Sequence, residues 1–235
     1  MLMPFYGYTT VPLQLKAGIA FIMAIVLAPT AAMTLPVAMT GVMPIATAAI
    51  VEAVVGLTIG GVTLLILMGA EFAGVLIGLQ MGFSSMTLFD PQAGEEISII
   101  GRFESLLALI IFITLDGHHM LLRALGGSFT AIPLGGGVFH GQTALAFGRM
   151  TAEVLVIGVK LAAPVLAILI LTEIALGFVS RAMPQMNVFA DAFPLKIGVG
   201  LLAMAVTWPL FVYVLSKSFT FFGNSITEFI AMLGP

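Results

Sequence analysis

The chain is 235 residues long, 60% hydrophobic and only 8% charged, with a net charge of −3. An ordinary soluble domain is about 25% charged, so this chain cannot cover itself with solvated side chains and belongs in lipid or inside a hydrophobic assembly. It has no Cys, which removes disulfides, thiolate metal sites and Cys nucleophiles, and it has no basic run to hold nucleic acid.

Met1 to Thr10 has no basic stretch and is interrupted by Pro4 and Gly7, so it does not read as a signal peptide. The first apolar segment runs from Ala17 to Met33, opens beside Lys16, and is ended or kinked at Pro29. Pro36, Gly41 and Pro44 then predict a loop or a short broken helix. Ile45 to Gly82 contains no Pro, Asn or Asp. As one helix it would run on the order of 55 Å, against about 30 Å of hydrocarbon core. A hairpin at Met68-Gly69 is the alternative; the long helix is favoured because Gly alone is a weak breaker in membrane helices.

Met81 to Ser98 is a predicted loop. It places Met81, Phe83, Met86, Leu88 and Phe89 among the small residues Gly82, Ser84 and Ser85, and closes on the turn chemistry of Asp90-Pro91. The residues alone allow a plain packed loop or a deformable apolar seal that resists water and ions. The segment is acidic without a basic residue, which suggests a position away from the cytoplasm or in a pore.

A helix carrying Arg102 and Glu104 follows over Ile97 to Leu115, then Asp116-Gly117-His118-His119 and a short amphipathic piece to Leu125. Gly126 to Gly141, with Pro133 and Gly135-Gly136-Gly137, predicts a loop. Thr143 to Phe178 is a long apolar segment interrupted by Pro164, and Leu195 to Phe222 a last one kinked at Pro209. Ser225 and Glu228 have the spacing of a capping box for a short terminal helix. The class is all-α: hydrophobic helical hairpins and long kinked helices of a membrane or pore-assembly protein, read as a single domain over residues 1–235.

Several polar residues stand where an apolar run would not carry them. Glu52, Glu71, Lys160 and Glu173 lie deep in the segments, where a charge at the bilayer centre costs about 2.5–3.5 kcal/mol on the insertion scale. They are explained by pairing between helices, by an ion pathway, or by helices that face water or a lumen in the finished complex. Arg181, Pro184, Gln185, Asn187 and Lys196 form a polar phrase between two apolar segments. Together with Arg102, Glu104 and Asp116 they are candidates for assembly contacts. His118 and His119 are adjacent and point in different directions on a helix, a poor arrangement for one ion. No catalytic, cofactor-binding or metal-binding residue is read from the pattern.

Four motifs in order resemble the FliR family of the flagellar type III export gate. They are Pro4 with Val11-Pro12, Lys16, Gly18 and Ala28-Pro29; Ile77-Gly78-Leu79-Gln80-Met81-Gly82-Phe83-Ser84 with Asp90-Pro91; Gly117-His118-His119 with Leu121-Leu122, Ser128-Phe129 and Pro133; and Arg181 to Ile197. The second and third are closer to flagellar members than to those of virulence injectisomes. The resemblance implies a non-enzymatic subunit in the bacterial inner membrane, within the flagellar basal body. It implies a helical pore with FliP and FliQ, contacts with FlhB and FlhA, and passage of unfolded flagellar polypeptides. It also implies that Met81 to Pro91 is the plug of the resting channel, and that the helices are raised out of the bilayer and covered by partners.

Two departures accompany it. Family members carry one more apolar helix ahead of the position of Pro4. They also often carry a carboxylate where Val75 stands, and Glu71 lies one helical turn earlier on the same face. Two other readings of the chain remain: a small-solute or ion transporter with helices broken at Pro164 and Pro209, and a structural nucleator of the pore with no gating role.

Overall fold

The computed structural model describes residues 12–32, 41–83, 98–137, 141–183 and 188–233. Their regular structure is helical: α1 Leu13–Ala32, α2 Val42–Met81, α3 Ile99–Thr114, α4 Gly117–Ala131, α5 Gly141–Ala182 and α6 Val188–Leu233. No strand occurs among them. Four stretches, Leu13–Ala31, Val42–Met81, Leu145–Ala182 and Ala192–Ile230, are long and apolar enough to cross a membrane. Helix α2 is unbroken over 40 residues, about 60 Å of rise. It takes in Pro44, expected in a loop, within its first turn, where the missing N–H has no helical partner to lose. Beyond it the absence of Pro, Asn and Asp predicts the continuous helix.

Three sequence expectations are corrected. Helix α4 does not stop at Leu125 but runs through Gly126 and Gly127 to Ala131, so the expected loop begins only at Ile132. Two helical glycines cost about 1 kcal/mol each, and burial of Leu121 and Ser128 offsets this. Gly126 also leaves room for Leu27 of α1, which packs on α4. Second, α5 runs through Pro164, and α6 through Pro194 and Pro209, so neither Pro164 nor Pro209 supplies the helix break that a transporter reading would use. Third, Ser225 caps no terminal helix. It lies inside α6, and its hydroxyl donates to the Phe221 carbonyl at 3.0 Å, a bond that competes with capping.

The chain forms two compact units, with α2, α3, α5 and α6 contributing to both. In the unit of Met1–Ile66, Phe112–Glu153 and Ser218–Pro235, the core includes Val62, Ile66, Leu121, Phe222 and Phe229. There the rings of Phe112 and Phe219 lie 5.2 Å apart.

In the unit of Leu67–Ile111 and Val154–Lys217, buried Ala70, Ala73, Ile77, Ala162, Leu169 and Leu215 make the core. Its helices approach on glycine. A Cβ at Gly74 of α2 would lie 2.6 Å from the Cα of Gly101 in α3, and one at Gly158 of α5 would lie 3.0 Å from the carbonyl oxygen of Gly69 in α2. Such contacts replace hydrophobic driving force where lipid tails are as apolar as the side chains.

Candidate functional site

The site is the end of α2, the last described residues before position 84. The helix stops because Gly82 takes φ +92°, a conformation that costs a Cβ-bearing residue but not glycine. The Gly82 N–H donates to the Leu79 carbonyl at 3.1 Å and the Phe83 N–H to the Gly78 carbonyl at 3.0 Å. This pair of bonds is a Schellman motif with glycine at its left-handed position. The helix therefore ends on Met81, which the sequence reading placed both at the end of the long apolar segment and at the start of the loop.

One face of α6 holds this terminus. Phe193, Lys196 and Gly200 are spaced three and four apart and so share a side of the helix. The Phe193 ring lies where a Cβ on Gly82 would be, and the Met81 side chain lies where a Cβ on Gly200 would be. Met81 is consequently 0% exposed. Between these two contacts, Lys196 Nζ donates to Glu173 Oε1 of α5 at 3.1 Å. The other carboxylate oxygen, Oε2, accepts from Gln80 Nε2 at 2.7 Å. Glu173 thus ties α2 to α6 through one carboxylate. The Lys196 side chain is only 18% exposed and that of Glu173 55%, so the ammonium needs the partner more than the carboxylate does. The arrangement is an anchor. It fixes residues 80–83.

Of the sequence-selected loop residues, Met81, Gly82 and Phe83 lie in this anchor. Ser84, Ser85, Met86, Leu88, Phe89, Asp90 and Pro91 lie outside the described residues, as do Pro184, Gln185 and Asn187. Glu173, selected as a misplaced charge, and Lys196, selected as part of the polar phrase, are brought together. Sequence reading missed Phe193 and Gly200 as anchor residues. Gln80 stood inside a quoted motif without a role. The spacing of Phe193, Lys196 and Gly200 was the available signal, but nothing local said what that face meets.

The remaining polar candidates are dispersed. Glu52 Oε1 accepts the Gly135 backbone N–H at 3.2 Å, so this carboxylate holds the segment that follows α4. Glu71 is half-buried on α2 and its carbonyl oxygen faces Gly101. Arg102, Lys160 and Arg181 are exposed. Asp116 sits at φ 54° ahead of α4, and the His119 Nδ1–H donates to its Oδ1 at 3.1 Å. Contrary to the argument from adjacency, His118 and His119 do converge, and with Asp116 their potential ligand atoms all lie within 4.8 Å of one another. Asp116 and His119 are exposed, and such an arrangement is common without an ion. Glu104 is 4% exposed, and its Oε2 has no hydrogen-bond partner among the described residues. Burial pushes its carboxyl up from 4.5 to about 8.

Comparison with known proteins identifies what the whole chain is similar to. The family model described as "Bacterial export proteins, family 1" matches residues 1–222. A flagellar biosynthetic protein FliR of Bacillus subtilis (strain 168) is 31% identical over 238 residues, covering 98% of this chain and 90% of the relative. The FliR of Escherichia coli (strain K12) is 29% identical, covering 98% and 87%. That of Pectobacterium carotovorum subsp. carotovorum is 30% identical, covering 88% and 78%.

Proposed function

The chain belongs to family 1 of the bacterial export proteins, the family of the FliR flagellar biosynthetic proteins, and on that premise we propose that it is a subunit of the flagellar type III protein export gate in the bacterial inner membrane. The observation that carries this reading is the match of one export-family model to residues 1–222. The abundance of exposed apolar side chains supports it: Phe21, Ile25, Val26, Leu171, Phe178, Leu202 and Val206 are all more than half exposed. Such surfaces require lipid or protein cover.

In this reading the chain assembles with FliP and FliQ into a helical pore, adjoins FlhB and FlhA, and passes unfolded flagellar polypeptides. Of the expected plug Met81 to Pro91, residues 81–83 belong to the anchor, and the segment beyond it, 84–91, acts as the plug. Its Met and Phe side chains deform and reclose, and its apolar character resists ions. The anchor at Gln80–Phe83 suits that role, because a plug that moves needs a hinge end that does not. Glu173 and Lys196 contribute as positioning residues. The chain works sterically and carries no reaction.

Native mass spectrometry of the tagged chain, co-expressed with its neighbouring genes and purified in mild detergent, tests the assembly. A defined complex with two small helical proteins is the expected result. A stable monomer or homodimer without such partners would sink it.

A further inference from the structure

We propose that the cavity among α3, α5 and α6 binds a compact apolar molecule bearing one protonated amine, with Glu104 as its counter-ion and Phe103, Trp208 and Phe211 around its body. The cavity, open to the surface beside Phe103 and Ala205, has a volume of about 390 Å³ and is lined by these residues together with Leu107 and Leu161, among others. That volume lies within the roughly 300–1,000 Å³ of small-molecule sites, which are apolar with a few placed polar groups.

The placed polar group here is Glu104, buried with an unpartnered oxygen. Leaving such an acceptor unpaired costs its full desolvation, and the wall does not relieve it. The Thr207 hydroxyl is already committed to the Ala203 carbonyl at 2.8 Å. The Trp208 and Phe211 rings, both in the lining, stack with centroids 5.4 Å apart at 18°, and aromatic rings attract a cation. A neutral hydrocarbon would leave Glu104 unpaired, whereas an ammonium favours loss of the carboxyl proton and pairs with the carboxylate that results. An ammonium satisfies both the carboxyl and the rings. No lining residue of this cavity belongs to the α2 anchor.

Trp208 is the single Trp of the chain, so its emission reports on this cavity alone. The full chain in phosphatidylglycerol vesicles is titrated with 4-phenylbutylamine and with 4-phenylbutanol. A saturable change is expected with the amine, and at least about tenfold weaker binding with the alcohol and in Glu104→Gln. Ala205→Phe, on the exposed side of the wall, keeps Glu104 but fills the cavity and abolishes the response. Equal titrations by amine and alcohol, or an unchanged amine titration in folded Glu104→Gln or Ala205→Phe, would overturn the proposal. Adding phosphatidylethanolamine separates two sources of the amine. Weakened probe binding identifies a lipid headgroup, and unchanged binding identifies a free amine.

Discussion

Lys196 and Glu173 meet at 3.1 Å across α6 and α5, and the same carboxylate accepts from Gln80 at the end of α2. Removing the carboxylate's charge strands a mostly buried ammonium. Glu173→Gln is therefore expected to destabilise the folded chain by about 1–3 kcal/mol. Lys196→Met, which leaves the more exposed partner in place, should cost less. In the double variant part of the loss returns, with a coupling of about 1 kcal/mol. Denaturant-driven unfolding in detergent measures all three, and strictly additive losses would exclude the contact.

Gly74 is predicted to be intolerant because its neighbour is backbone, which cannot step aside. A Cβ there would lie 2.6 Å from both the Gly101 Cα and the Ile100 carbonyl oxygen. Gly74→Ala should cost about 1–3 kcal/mol and lower the yield of folded protein. Gly56→Ala, on the same helix with nothing within 4 Å of its Cβ, should be neutral or stabilising by up to about 1 kcal/mol. Thermal unfolding of the pair separates close packing from helix propensity.

The contrast between those two glycines marks what the sequence carries. The all-α class and the unbroken α2 were legible, because both follow from hydropathy and from the absence of breakers between Ile45 and Gly82. The passage of α4 through Gly126-Gly127 was not legible. Burial of Leu121 and Ser128 and the proximity of Leu27 decide it, and no local propensity states them. Ser225 misled for a related reason: its capping-box spacing is real, but the helix had already begun at Val188. The anchor was half legible. Glu173 stood out as a charge in an apolar segment and Lys196 in the polar phrase that follows, but Gln80 is 93 residues from Glu173, and only tertiary packing pairs them.

Glu104 sets a pH dependence whose sign is fixed. Burial pushes its carboxyl from 4.5 to about 8, so between those values the folded chain keeps a proton that the unfolded chain has released. Stability should fall as pH rises through that window and level off above it, by on the order of 5 kcal/mol at most. Glu104→Gln should remove this slope, unfolding like the parent near pH 4 and at higher denaturant above pH 8. Unfolding midpoints at both pH values, for parent and variant, check it. Parallel curves would show that Glu104 ionises in the folded chain as it does in the unfolded one.

The central claim is that the segment beyond the α2 anchor closes a protein-conducting pore. Its most direct measurement is the ion conductance of membranes from cells expressing the chain with its export-apparatus partners, with residues 84–89 deleted. Gln80, Met81, Gly82 and Phe83 are retained so that the packed anchor survives, and incorporation of the variant into the complex is checked on the same preparation. The account predicts increased leakage from an assembled complex. Unchanged conductance in a complex that has incorporated the variant would contradict it.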